Sequence, residues 1–133
     1  MPMPKVGDQA TIDKTITERD VALFGEVSTD MNPVHFDEEY AKTTRFGGRI
    51  AHGMLGASLL SAVIGTKLPG PGSIYLGQTL RFTAPVRLGD TVTAEVTVTA
   101  VREDKPIVTL ATVVRTSAGE VAVTGEATVL VQG

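Results

Sequence analysis

The sequence predicts an α+β fold in which one apolar helix packs against an antiparallel sheet with one wetted face, and three observations carry that reading. From Ile50 to Thr66 there is no formally charged residue, a run of 17 positions bounded by Arg49 and Lys67. Beyond it, apolar residues recur at every second position, the period of a strand covered on one face. Turn signals at Leu88-Gly89-Asp90, Asp104-Lys105-Pro106 and Ser117-Ala118-Gly119 separate the alternating runs. A helix and a half-wet sheet of this kind bury their faces against each other, with the sheet curling around the helix.

Each element has its own local reason. Ala10 to Ile16 can add a strand ahead of the others. Thr17-Glu18-Arg19-Asp20 has capping-box spacing, with acidic residues in the first turn where the helix dipole favours them, so a short helix is expected over about 18–27. Asn32-Pro33 breaks it, because the residue before proline is pushed out of the α region, and the chain must loop there. Asp37-Glu38-Glu39 opens a second short helical turn that Phe46-Gly47-Gly48-Arg49 closes. The helix after Gly53 is apolar on nearly every side, and Leu68-Pro69-Gly70-Pro71-Gly72 stops it. Four strands then follow: Ile74 to Phe82; Val92 to Val98, with Val, Ala, Val and Val on even positions; Ile107 to Arg115; and a last run with Val121, Val123, Ala127, Val129 and Val131 on odd ones. The simplest arrangement of four successive strands is an antiparallel meander.

Composition bounds the function. A chain of 133 residues without internal repeat reads as one domain, 1–133, able to bury about two thirds of its unfolded surface. Its 12 Lys and Arg are spread among 15 Asp and Glu, so no basic stripe is available to follow a phosphate backbone and nucleic acid is not an expected partner. The absence of cysteine removes thiolate catalysis, disulfides and Cys-based zinc sites, and suits a reducing compartment. The first residues lack the apolar stretch of a secretory signal, which makes a cytoplasmic location the expectation. The uncharged run is shorter than the ~20 apolar residues of a membrane span and includes His52, Ser58 and Ser61, so a buried helix is expected rather than a membrane segment.

The chain has two histidines, His35 and His52, and any imidazole chemistry must use them. Asp30 and His35 flank the Asn32-Pro33 bend. Two readings fit: an Asx-turn with a surface histidine, or a carboxylate and an imidazole turned toward one water. Hydration of a conjugated thioester needs the second arrangement, since water must lose a proton as it attacks C3 while C2 gains one. His52, just ahead of the buried helix, reads first as a capping or packing residue and only second as another base.

The run Phe24 to Ala41, with Asp30-Met31-Asn32-Pro33-Val34-His35-Phe36-Asp37 at its centre, closely resembles the hydratase-2 motif of R-specific enoyl-CoA hydratases, members of the MaoC-like hot dog superfamily. The resemblance continues through Ala51-His52-Gly53-Met54-Leu55, Gly72-Ser73-Ile74-Tyr75-Leu76-Gly77-Gln78, Gly89-Asp90 and Arg102-Glu103-Asp104-Lys105-Pro106, and so covers almost the whole chain. One departure is visible: Thr29 stands where a glycine commonly precedes the motif aspartate, and a β-branched residue resists positive φ, so the backbone there is expected to differ slightly.

The resemblance implies a hot dog fold: a curled antiparallel sheet of about five strands around a long central helix, with an inserted overhang carrying the catalytic loop. It implies reversible hydration of trans-2-enoyl-CoA to the R-3-hydroxyacyl-CoA without metal or redox cofactor, in a homodimer whose sheets join side by side, and suggests a supply of units for polyhydroxyalkanoate synthesis. Asp30 and His35 match the catalytic dyad, Asn32 the asparagine that braces the loop, and Ser61 a serine that orients the histidine, though a helix serine bonded to its own backbone fits Ser61 equally. Gly53 matches the residue whose amide polarises the thioester carbonyl, and its place at the start of the central helix gives a reason, because free amides and the dipole favour enolate charge there. The central helix carries no acid, unlike the acyl-carrier-protein dehydratases and some thioesterases of the superfamily. Arg81, Arg87 and Lys105 are the available cations for coenzyme A phosphates, with solvated surface charge as the alternative, and Ile64 could close an acyl tunnel or simply pack. The rival functions are an acyl-CoA thioesterase of the same fold and a non-catalytic acyl-CoA-binding module.

Overall fold

The computed structural model describes residues 3–132. Its elements are β1 (Gln9–Thr15), α1 (Glu18–Ser28), α2 (Pro33–Phe36), α3 (Glu38–Ala41), α4 (Gly53–Thr66), β2 (Ser73–Phe82), β3 (Thr91–Val101), β4 (Ile107–Thr116) and β5 (Val121–Val131). The strands form one antiparallel sheet in the order β1-β3-β4-β5-β2, and α4 touches all five of them. That is the α+β arrangement the sequence reading expects, with the sheet wrapped around the central helix.

The strand order corrects the four-strand meander. Strands β3, β4 and β5 follow one another as hairpins, but β2 lies beyond β5 rather than beside β3. The cause is that β1 occupies the free edge of β3, from Gln9 opposite Thr97 to Thr15 opposite Thr91, so the open edge of β5 is where β2 can complete its ladder. Strand β2 therefore forms an outer edge of the sheet and shows Ile74, Tyr75, Leu76 and Phe82 to solvent.

The alternation on β3 works as written: Val92, Ala94, Val96 and Val98 are all at most 1% exposed. On β5 it holds from Val123 onward, whereas Val121 is half-buried and Ala122 takes its place inside. A register irregularity opposite Val114 and Arg115 skips residue 122 and turns the strand over. Against this surface α4 sets Leu55, Leu59, Leu60, Val63 and Ile64. Leu60 is fully buried, and truncating such a side chain to alanine costs ~2–5 kcal/mol.

The capping box of α1 is complete. Thr17 Oγ1 accepts from the Asp20 amide at 3.1 Å, and Asp20 accepts from the Thr17 amide at 2.9 Å. Gly25, buried in this helix, leaves room for Phe36: a Cβ there would lie 2.5 Å from the Phe36 ring. By that contact α1 fixes the position of the short α2 turn. The loop expected at Asn32-Pro33 is itself the start of a helical turn, because proline at the first helical position has its φ already set and needs no amide donor.

Candidate active site

Three segments converge on one cavity. The Asp30 loop follows α1, His35 lies on α2, and His52-Gly53 opens α4; together with Phe82 and Val86 they line a space of about 390 Å³. Each is placed by local chemistry. Asp30 Oδ1 accepts from the Asn32 amide at 3.2 Å, so the Asx-turn weighed from the sequence does form, and it holds the carboxylate in place. Asn32 Oδ1 in turn accepts from the Val34 amide at 3.2 Å and caps α2.

Thr29 reaches this loop by a different route from the one expected. Its φ is 64° and its ψ 10°, a left-handed conformation, so the threonine takes the backbone a glycine would give rather than shifting it. The cost is ~1–2 kcal/mol for an L-residue, borne at the corner that turns Asp30 into the cavity.

His35 is buried, 7% exposed, and Ile50 orients it: Nδ1–H donates to the Ile50 carbonyl at 2.8 Å. With that proton spent, Nε2 of the neutral ring keeps a free lone pair. Burial pushes the His35 imidazole below its ordinary value; His52 and Arg49 push the same way, while the bond to Ile50 and the Asp30 carboxylate act against them. Arg49 also ties the His35 segment down. Its Nε donates to the His35 carbonyl at 2.7 Å while its terminal nitrogens grip Glu18 of α1 in a fork at 2.8 and 3.1 Å.

One carboxylate oxygen of Asp30 and one ring nitrogen from each of His35 and His52 all lie within 4.8 Å of one another. A cation could be bracketed by such a trio, but the two imidazoles are stacked, with centroids 3.9 Å apart and planes at 29°, instead of diverging from a common point. Each imidazole also donates a proton to a backbone carbonyl. The geometry suits a water better. A water about 2.8 Å from two partners at a tetrahedral angle separates them by about 4.6 Å, and an Asp30 oxygen and a His35 nitrogen lie within 4.8 Å of each other, close to that separation.

Gly53 lines the same cavity at the first position of α4. His52 makes no side-chain cap to the helix, so the capping role weighed for it is not the one it takes; its ring packs instead against His35, Phe24 and Phe36. An added Cβ on Gly53 would meet the Phe82 ring at 2.7 and 2.9 Å, so any side chain here would force the ring aside.

Ser61 is not brought to this cluster. It lies on the exposed side of α4, eight residues and about 12 Å along the helix from Gly53. The Ile50 carbonyl orients His35 in its place, because it sits directly against Nδ1. A backbone carbonyl leaves no trace in residue identity, so no sequence signal points to it. Arg81, Arg87 and Lys105 do not line the cavity; Arg45 does, with its guanidinium 5.1 Å from the centre of the Phe46 ring. Its position beside an aromatic residue just ahead of Gly47-Gly48 is the signal that could have singled it out. Ile64 is buried in the core.

Comparison with known proteins gives consistent relatives. The family model described as MaoC like domain matches residues 4–120. An (R)-specific enoyl-CoA hydratase of Rhodospirillum rubrum is 57% identical over 127 residues, covering 96% of this chain and 88% of that protein. The (R)-specific enoyl-CoA hydratase of Aeromonas caviae is 55% identical, covering 94% of this chain and 93% of that one. The solved structure of the (R)-hydratase from A. caviae involved in PHA biosynthesis superposes with a TM-score of 0.95 at 53% identity, covering 97% of this chain and 98% of that chain.

Proposed function

The chain belongs to the MaoC-like domain family and has the hydro-lyase activity of its (R)-specific enoyl-CoA hydratases, and we propose that Asp30 and His35 are the pair with which it adds water to the substrate. The observation that carries the assignment is their spacing: a carboxylate oxygen and an imidazole nitrogen within 4.8 Å of each other on the wall of an otherwise largely apolar cavity. A water between them donates one hydrogen to the Asp30 carboxylate and one to His35 Nε2, so its lone pairs face away from both, toward C3 of a trans-2-enoyl thioester. As the C3–O bond forms, the pair takes one proton from the water and passes it to C2, giving the (R)-3-hydroxyacyl-CoA. The two groups share one water, so we assign the proton to the pair rather than to either member.

The Gly53 amide is the donor for charge on the thioester oxygen. It stands at the positive end of α4, and the His52 side chain makes no cap that would compete for it. One such donor is typically worth ~10²–10³ in rate. Addition of water changes no oxidation state, and the mechanism needs neither metal nor redox cofactor. Arg45, the one Lys or Arg among the described residues that lines the cavity, is the cation we assign to a phosphate of coenzyme A.

Residues 1–133 act as one MaoC-like domain in this reading, and the assembly is a homodimer. The support for pairing is β2, an edge strand of 10 residues whose Ile74, Tyr75, Leu76 and Phe82 are exposed: a second copy paired along it would continue the sheet and cover them. No helix among the described residues is long and apolar enough to cross a membrane, and a cytoplasmic setting fits the cysteine-free chain. The A. caviae (R)-hydratase is involved in PHA biosynthesis, and the same supply of (R)-3-hydroxyacyl units is the role proposed here.

One assay tests this against its rivals. With crotonyl-CoA, the enoyl absorbance should fall while no free thiol appears, and Asp30→Asn or His35→Gln should slow that decay ~10²–10⁴-fold. Thiol release at the rate of substrate loss would establish a thioesterase. Full hydration by both folded variants would remove the pair from the site.

A further inference from the structure

The proposed mechanism leaves one buried ionisable side chain unused. His52 is 2% exposed, with its Nε2 2.9 Å from the Asp30 carbonyl oxygen. A carbonyl only accepts, so Nε2 carries the hydrogen and Nδ1 of the neutral ring is bare. Nδ1 is buried without a hydrogen-bond partner among the described residues. Phe24 and Phe36 crowd the ring, with centroids at 4.9 and 5.6 Å, and the His35 ring lies stacked on it at 3.9 Å. With its ring packed on three aromatic neighbours and its Nε2 bonded to the Asp30 backbone, His52 is built to hold neighbours.

The neighbours it holds are the two members of the proposed pair, which come from different segments. Asp30 lies in the exposed loop beyond Thr29, tied otherwise by its amide to Ser28 Oγ at 3.1 Å and by the Asx-turn to Asn32. His35 lies on α2. Resting on the Asp30–His35 assignment, we propose that His52 is a positioning residue for the hydration, fixing the distance between carboxylate and imidazole through its bond to the Asp30 backbone and its stack on His35. A 1 Å misplacement of reacting groups can cost ~10²-fold in rate.

Two substitutions separate the bond from the stack. His52→Phe keeps an aromatic ring against His35 and removes the donor; His52→Gln removes the ring and keeps an amide donor at about the reach of Nε2. With crotonyl-CoA, His52→Phe should lower kcat about 10²-fold with KM within about threefold, and His52→Gln should recover at least tenfold of that loss. Loss of packing alone would not be rescued by glutamine, whose side chain fills the aromatic pocket less well than phenylalanine. If His52→Phe is not recovered folded, His52→Leu supplies the donor-free, apolar comparison. Full kcat in the donor-free variant beside an inactive Asp30→Asn would overturn the role of His52 and leave the pair standing. A glutamine variant as slow as the phenylalanine one would also overturn it. Full activity of both Asp30→Asn and His35→Gln would instead remove the pair on which the proposal rests.

Discussion

If one water serves both Asp30 and His35, removing either group removes the water's placement, and removing the second costs little more. Asp30→Asn retains an oxygen to accept from the Asn32 amide, so the turn that now spans 3.2 Å can persist while the negative charge is lost. His35→Gln removes the ring held by Ile50 at 2.8 Å. General acid–base groups contribute ~10²–10⁴ in rate, or ~3–5 kcal/mol at about 1.4 kcal/mol per tenfold. Two independent groups would give a double variant slower by the product of the two losses, ~10⁴–10⁸. Groups within 4.8 Å of each other and sharing one molecule should instead give a double variant within about tenfold of the slower single one. The assay is kcat/KM for crotonyl-CoA in the four proteins of the cycle, with thermal melts showing that each is folded. A double variant at the full product of the single losses would show that the groups act on different atoms, and would refute the shared water.

Three further outcomes follow from particular contacts. Because burial lowers the His35 imidazole from its ordinary value of 6.5, the acid limb of kcat/KM should lie below that value; as pH falls from 6.5 the unfolded chain takes up the proton before the folded one, so stability also declines in that window, and a limb centred at or above 6.5 would contradict the geometry. Gly125 on β5 leaves no room for a side chain, since a Cβ there would sit 1.9 Å from the Thr79 carbonyl oxygen across the ladder, so Gly125→Ala should cost ~3 kcal/mol and lower Tm by about 10 °C, whereas an unchanged melt would refute it. Arg45→Gln should raise KM for crotonyl-CoA about fivefold, the effect of losing ~1 kcal/mol of exposed ion pairing, and leave KM for crotonyl-pantetheine unchanged because that thioester lacks the phosphates of coenzyme A; equal effects on both would place Arg45 elsewhere in binding.

What the sequence made legible was set by local physics. The capping box at Thr17, the uncharged run that became α4 and the alternation on β3 each depend on residues a few positions apart, and each formed within a residue or three of where it was expected. Strand order was not legible, because the place of β2 depends on β1 occupying the edge of β3, a pairing between residues about 80 positions apart. The inward switch to Ala122 was missed for a similar reason: it follows from a register irregularity opposite β4, and the residues of β5 alone still read as strict alternation.

The site divides along the same line. Asp30, Asn32 and His35 sit within six residues, so a motif could place them together, and Gly53 could be placed by the start of its helix. The group that orients His35 is the carbonyl of Ile50, which any residue would supply. His52 is the harder case. A histidine before an apolar helix is ordinarily explained as a cap or as packing, and it does pack; what the sequence could not reveal is that it packs on His35 while its Nε2 meets the Asp30 backbone 22 residues away. Thr29 points the same way. A β-branched residue held at a φ of 64° is unfavourable in isolation, and it persists because α1, the Asx-turn and the His52 bond together determine the corner it occupies. Backbone strain on one side of Asp30 and a buried, half-satisfied imidazole on the other both oppose stability, and the fold accepts both at the residue whose carboxylate must face the cavity.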